Sequence, residues 1–144
     1  MKTLLILTTL LLLNPQKNVN PEQIIGKWMS EGKDMTVEVF KVNERFSAKL
    51  IWFDCTAPNT PKMLEHFDTE NPDAKLRNRL WLGMVLVNDL KFDGQSEWNG
   101  GSIYDPNSGR TYKSTVRLQS PNVLIVRGYW GIELLGRSLK FTKI

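Results

Sequence analysis

Thiols and imidazoles are almost missing from this chain. Cys55 is the one cysteine among 144 residues, so no intramolecular disulfide can form, even in an oxidising compartment. A small, partly buried hydrophobe is the expected role for it. His66 is the one histidine. A zinc centre needs three or four Cys, His or carboxylate ligands, and with one Cys and one His none is expected. A nucleophile–His pair needs its base within reach, and no Gly-x-Ser-x-Gly is present, so His66 is expected to be a surface loop residue. The basic residues are scattered, with no Lys/Arg run and no nucleic-acid motif. No cofactor, metal or nucleic-acid partner is therefore expected.

Long apolar runs are also scarce. The one long run, Leu4 to Leu13, apolar apart from Thr8 and Thr9, follows Lys2 and ends at Asn14-Pro15-Gln16. A basic first turn, a short apolar core and a polar breaker are the pattern of a secretory signal peptide. The run falls short of the roughly 20 apolar residues that span a bilayer. Residues 1–20 are assigned to the leader, with the cut between Asn14 and Pro21. No cysteine near the run suggests a lipid anchor, and no stable membrane insertion is expected after leader removal. The protein is expected to be periplasmic or secreted. The remaining 21–144 is about one domain in length and can bury roughly two-thirds of its unfolded surface. The net charge of +4 falls to +2 without Lys2 and Lys17, with 17 basic residues against 15 acidic.

What is plentiful is alternation. Met35 to Val42 sets Val37 and Val39 against Thr36 and Glu38. Arg45 to Phe53 sets Phe46, Ala48, Leu50 and Trp52 against Ser47, Lys49 and Ile51. Period-two alternation across the tight connection Asn43-Glu44 predicts a β-hairpin. Further strands are predicted at Ile24 to Met29, Met84 to Leu90, Ser96 to Tyr104, Arg110 to Gln119, Val123 to Trp130 and Arg137 to Ile144. Turn signals separate them, including Asp105-Pro106-Asn107-Ser108-Gly109. The expected fold is all-β: a single small antiparallel up-and-down β-barrel of about eight strands. One long irregular segment, Asp54 to Gly83, interrupts it. Thr60-Pro61 and Asn71-Pro72 each place a capping residue before proline, predicting short helical turns near Pro61 to Phe67 and Pro72 to Arg79. So long a connection is usually a lid or a binding loop.

Three polar-aromatic clusters fall between these strands: Asn71 to Arg79, Gly101 to Pro106, and Arg127 to Tyr129. Arginine offers a planar fork suited to carboxylate or phosphate, and it stacks on aromatic faces. Asp73, Arg77, Arg79, Tyr104, Asp105, Tyr112, Arg127 and Tyr129 are the candidate ligand-binding residues. If Arg77, Arg79 and Arg127 converge at the barrel mouth, they would clamp the anionic head of an amphipathic ligand. Alternatively, Arg77 and Arg127 pair with Asp73 and Asp105 and pin the long loop. Asp68-x-Glu70-Asn71-x-Asp73 and Asp105-x-Asn107-x-Gly109 faintly suggest calcium loops, but are read as Asx-turns and helix caps. Asp73, Glu97 and Asp105 are the carboxylates a glycosidase-like pair would require.

Gly26-Lys27-Trp28 and Gly136-Arg137 resemble a pairing in lipocalin-like (calycin) barrels. There an early Gly-x-Trp and a late Arg stack at the closed end, which implies that Trp28 and Arg137 close this barrel. More specific motifs are Asn71-Pro72-Asp73, Leu76-Arg77-Asn78-Arg79, Gly101 to Tyr112, Arg127-Gly128-Tyr129-Trp130-Gly131-Ile132 and Leu135-Gly136-Arg137. In this order they resemble a bacterial family of small secreted domains of unknown function (DUF2147-like), from Gly26 onward. The resemblance implies a lipocalin-like barrel and brings no activity with it. The expected function is non-enzymatic: an exported protein holding a small apolar or amphipathic ligand. The alternatives are a filled-barrel envelope module with a protein partner, and a carboxylate-dependent hydrolase. A hollow lumen calls for small residues facing it, with Ala48, Ser114 and Gly128 as candidates. A filled one would be packed by Phe46, Trp52 and Leu118.

Overall fold

The computed structural model describes residues 19–130 and 136–144. Apart from Val19 and Asn20, the expected leader lies outside them, as does the Gly131 to Leu135 part of the motifs. Eight strands form: β1 (Gly26–Ser30), β2 (Met35–Val42), β3 (Arg45–Phe53), β4 (Val85–Phe92), β5 (Glu97–Asp105), β6 (Arg110–Ser120), β7 (Val123–Tyr129) and β8 (Arg137–Lys143). Each pairs antiparallel with the next, and β8 returns to β1, closing a barrel in sequence order. Closure leaves no strand edge unpaired. The long segment carries two short 3-10 turns, Met63–Glu65 and Ala74–Leu76.

Strand alternation produces the core. Phe46, Ala48 and Leu50 of β3 are buried, with Val37 and Val39 opposite on β2. The alternation then breaks. The register slips between Thr36 and Val37, so Trp52 pairs with Thr36 while Leu50 pairs with Val37. One extra residue reverses which face each later side chain meets. Phe53 therefore turns inward, and Trp52, expected on the inner face, is 38% exposed. A second bulge lies in β5, where Trp98 pairs with Val116 but Gly101 pairs with Ser114. Gly100 sits there at φ 72°, a conformation glycine adopts without steric cost.

One end of the barrel is stoppered. The 3-10 turn Pro21–Ile24 begins with Asn20 accepting a hydrogen bond from the Glu22 N–H, and it leads into β1. Trp28 is fully buried and donates its indole N–H to the Ile24 carbonyl at 2.8 Å. Trp98, also fully buried, packs against Phe92 at 5.0 Å and edge-on to Phe46 at 6.3 Å. Burial of the hydrogen-bonded Trp28 indole contributes about 4–5 kcal/mol.

The expected Trp28–Arg137 stack does not form. Lys143 lies over the Trp28 ring, 5.3 Å from its centroid, and donates to the Gln23 carbonyl at 3.0 Å. The register explains the exchange of roles. Trp28 pairs with Lys143, at the end of β8, whereas Arg137 opens that strand opposite Gly128. Arg137 thus lies six residues away, roughly 20 Å along an extended strand, at the opposite end of the barrel.

Candidate functional site

The other end is covered in part by the segment between β3 and β4. Its exit is tied back to the barrel: the Gly83 N–H donates to the Leu50 carbonyl at 2.7 Å, and the Leu50 N–H donates to the Met84 carbonyl at 2.8 Å. Upstream of these ties, Asp68 organises the segment. Its carboxylate has no exposed surface, yet three residues meet there. Tyr104 donates its hydroxyl to Oδ1 at 2.6 Å. Asn71 and Arg79 donate to Oδ2 at 2.7 and 2.8 Å. Arg79 also stands 5.6 Å from the Tyr104 ring centroid. Burial pushes the Asp68 carboxyl up, but the three hydrogen bonds and the Arg79 charge outweigh it and hold the group below its usual range. Burial and the neighbouring Asp68 carboxylate push the Tyr104 hydroxyl up to about 12. A paired, fully hydrogen-bonded ion is the form in which a buried charge is tolerated.

The same segment adds an aromatic stack. His66 lies 4.0 Å from Trp81 and 5.3 Å from Phe53, between centroids. His66 is half-buried in this stack, where a surface loop position was expected. The segment also rests on the β5–β6 turn. Gly109 there has φ 70°, and a Cβ on it would collide with the Glu70 carbonyl oxygen.

Beneath this cover lies a cavity of about 720 Å³. Val37, Val39, Ala48, Leu50, Leu86, Val126, Leu139 and Phe141 form its apolar wall, and Trp81, Tyr104, Tyr112, Tyr129 and Trp130 contribute aromatic surface. Among the described residues its charged lining consists of Asp34, Asp54, Asp105 and Arg137. The size suits a small molecule, since such sites commonly span ~300–1,000 Å³. Ala48 and Gly128 line it. Ser114 shares their inward phase but is fully buried, its hydroxyl without a hydrogen-bond partner among the described residues. Phe46 belongs to the stopper, and Trp52 faces outward.

The sequence candidates divide into two sets. Tyr104, Asp105, Tyr112 and Tyr129 line the cavity, and Tyr112 meets Trp130 edge-on at 5.9 Å. Asp73, Arg77, Arg79 and Arg127 do not line it, so the expected three-arginine clamp is not formed. Asp73 accepts a hydrogen bond from the Lys75 N–H and caps the second 3-10 turn. Arg77 donates its Nε–H to the Asn71 carbonyl at 2.8 Å. Arg79 is held by Asp68. Arg127 lies on the outer wall, where it donates to the Ser138 hydroxyl at 2.9 Å and borders a groove with Glu97 and Arg117. Strand phase is the cause: Leu124, Val126 and Gly128 point inward, so Arg127 between them points out.

The alternative pinning scheme changes partners too. The long segment is pinned, but through Asp68, which Tyr104 of β5 and Arg79 of the segment both meet, rather than through Asp73 and Asp105. Asp105 accepts from the Asn107 N–H at 3.0 Å and from the Ser108 hydroxyl at 2.7 Å, the bonds of an Asx-turn. Glu97 and Asp105 do not converge. Glu97 and Asp105 open and close the same strand, roughly 27 Å apart at strand rise, against the ~5–10 Å a glycosidase pair requires.

An eight-stranded antiparallel meander, stoppered at one end and hollow at the other, defines the lipocalin-like class of barrel. The structure is similar to that of protein HP1028 from the human pathogen Helicobacter pylori, described as belonging to the lipocalin family. The TM-score is 0.70 at 25% sequence identity, over 84% of this chain and 82% of that one. The chain belongs to the family described as uncharacterized protein conserved in bacteria (DUF2147), whose model matches residues 26–143. No curated protein matches the chain.

Proposed function

We propose that this protein is exported and holds a small apolar or amphipathic molecule in its barrel lumen, without catalysing a reaction. The observation that carries the reading is the cavity of about 720 Å³ with its apolar wall. Packed interiors leave few voids larger than a water molecule, and a hollow of this size forgoes core packing for no structural return. The lipocalin-like fold is generally associated with small ligands, and the aromatic ring at the mouth suits a molecule with a polar end. The basic, apolar and polar succession of Lys2, Leu4 to Leu13 and Asn14 supports export to the periplasm or beyond.

Native mass spectrometry with solvent extraction tests this on protein purified from a bacterial periplasm. The expected result is a stoichiometric lipid or metabolite, on a chain cut between Asn14 and Pro21. A clean apo mass, with no thermal shift across fatty acids and sugars, would overturn the binding reading. An uncut chain retained in the cytoplasm would overturn export.

A further inference from the structure

We infer that Arg137 anchors the anionic head, carboxylate or phosphate, of the molecule held in the lumen. This rests on the lumen-binding reading and adds to it a chemical class and a specificity residue. Arg137 is the one cation in the described cavity wall, and it has no hydrogen bond or ion pair among the described residues. Other arginines are committed elsewhere: Arg79 to Asp68, Arg77 to the Asn71 carbonyl, Arg127 to Ser138. Five N–H donors in a fixed fork remain on Arg137, the geometry that receives an oxyanion.

Its surroundings favour that use. Gly128, its cross-strand partner, adds no side chain between it and the lumen. Tyr129 and Trp130 line the same mouth and present aromatic surface. Leu139 follows at the inward position two residues along the strand, and Phe141 lies deeper, so an alkyl tail can run from the arginine down the apolar wall.

The wall carboxylates do not neutralise this cation. Asp34 and Asp54 stand beside β2 and β3, and Asp105 ends β5. In the closed order β1 to β8 these strands lie two to three places from β8. At strand spacing that is roughly 10–14 Å along the wall, beyond ion-pair contact with Arg137. Each carboxylate is also held within its own turn. Asp34 accepts from the Ser30 hydroxyl at 2.6 Å, Asp54 from the Thr56 hydroxyl at 2.7 Å, and Asp105 from the Ser108 hydroxyl.

The test displaces a neutral fluorescent probe, N-phenyl-1-naphthylamine, from the folded protein. Competitors are dodecanoate, dodecyl phosphate, dodecanol and dodecyltrimethylammonium, each below its micelle concentration and at low salt. One or both anions should bind roughly five- to tenfold more tightly than dodecanol, and whichever leads identifies the head as carboxylate or phosphate. Arg137→Gln should erase that preference, bringing both anions to the affinity that the same variant shows for dodecanol. Arg137 is exposed, so the variant should fold. Anions no better than dodecanol, a preference for the ammonium, or a preference that survives Arg137→Gln would each overturn the anchor alone. Failure of the probe and dodecanol to bind would overturn the lumen reading, and the anchor with it.

Discussion

Asp68 shows what one buried carboxylate contributes when every partner is in place. Tyr104, Asn71 and Arg79 come from two elements far apart in sequence, and Asp68 joins them. Replacing it by Asn keeps the shape but removes the charge that Arg79 and Tyr104 face. The expected cost is about 2–3 kcal/mol, read as a shift in urea midpoint. Tyr104→Phe removes one hydrogen bond and should cost about 1–2 kcal/mol. The two effects should be non-additive in a double-mutant cycle, because both act on one network.

The pH dependence has two arms. Asp68 has a folded-state pKa depressed below its ordinary 3.8, so its contribution is complete above that value and is lost as pH falls through the lower folded one. Tyr104 has a pKa raised from 10.0 to about 12, so its contribution is complete below 10.0 and is lost as pH rises through 12. Amide exchange across residues 66–81 should therefore be slowest between pH 4 and 10, after correction for intrinsic rates. Asp68→Asn should flatten the acid arm. A wild-type acid arm that persists unchanged in this variant would remove Asp68 from the explanation.

Among the elements, the covering segment and the β5–β6 turn act as one unit, because Gly109 lets the two backbones touch. Gly109→Ala would combine a strained φ of 70° with a clash against Glu70. A loss of about 2 kcal/mol or more is expected, together with faster amide exchange in residues 66–81 while the stoppered end stays protected. Uniform loss of protection would show that the turn supports the barrel rather than its cover. Strands are readable from the residues because alternation is local: the bounds of β2 and β3 coincide with the expected ones. Alternation misplaces Trp52, where a bulge set by pairing with Thr36 changes the phase. It gives no guide to the arginines. Arg77, Arg79 and Arg127 share one composition signal, but their partners are fixed by tertiary contacts with Asn71, Asp68 and Ser138. Strand phase alone separates Arg127, outside, from Gly128, inside. The motif that contains Arg137 points to the wrong end of the barrel, because the stopper cation is Lys143.

Taken as a whole, the molecule divides its stability between a packed end and a hollow one. The stoppered end holds Trp28, Trp98, Phe46 and Leu124, all almost wholly buried. The wall above them encloses space rather than side chains, and unfilled apolar volume costs roughly 24 cal/mol per Å³ in a rigid core. Two measurements should then move in opposite directions. Ligand at about 100 times its Kd should stabilise the folded chain by about 2.7 kcal/mol, a rise in Tm of several degrees for a domain of this size. Ala48→Leu adds apolar volume at a buried position of the cavity wall. It should raise the Tm of the empty protein while reducing or abolishing the ligand-induced rise. A filled barrel would behave otherwise: the same substitution would overpack the core, lower the Tm by the equivalent of about 1–3 kcal/mol, and leave no ligand response to lose. The sign of the Ala48→Leu shift thus decides between a container and a packed interaction module, whatever the ligand.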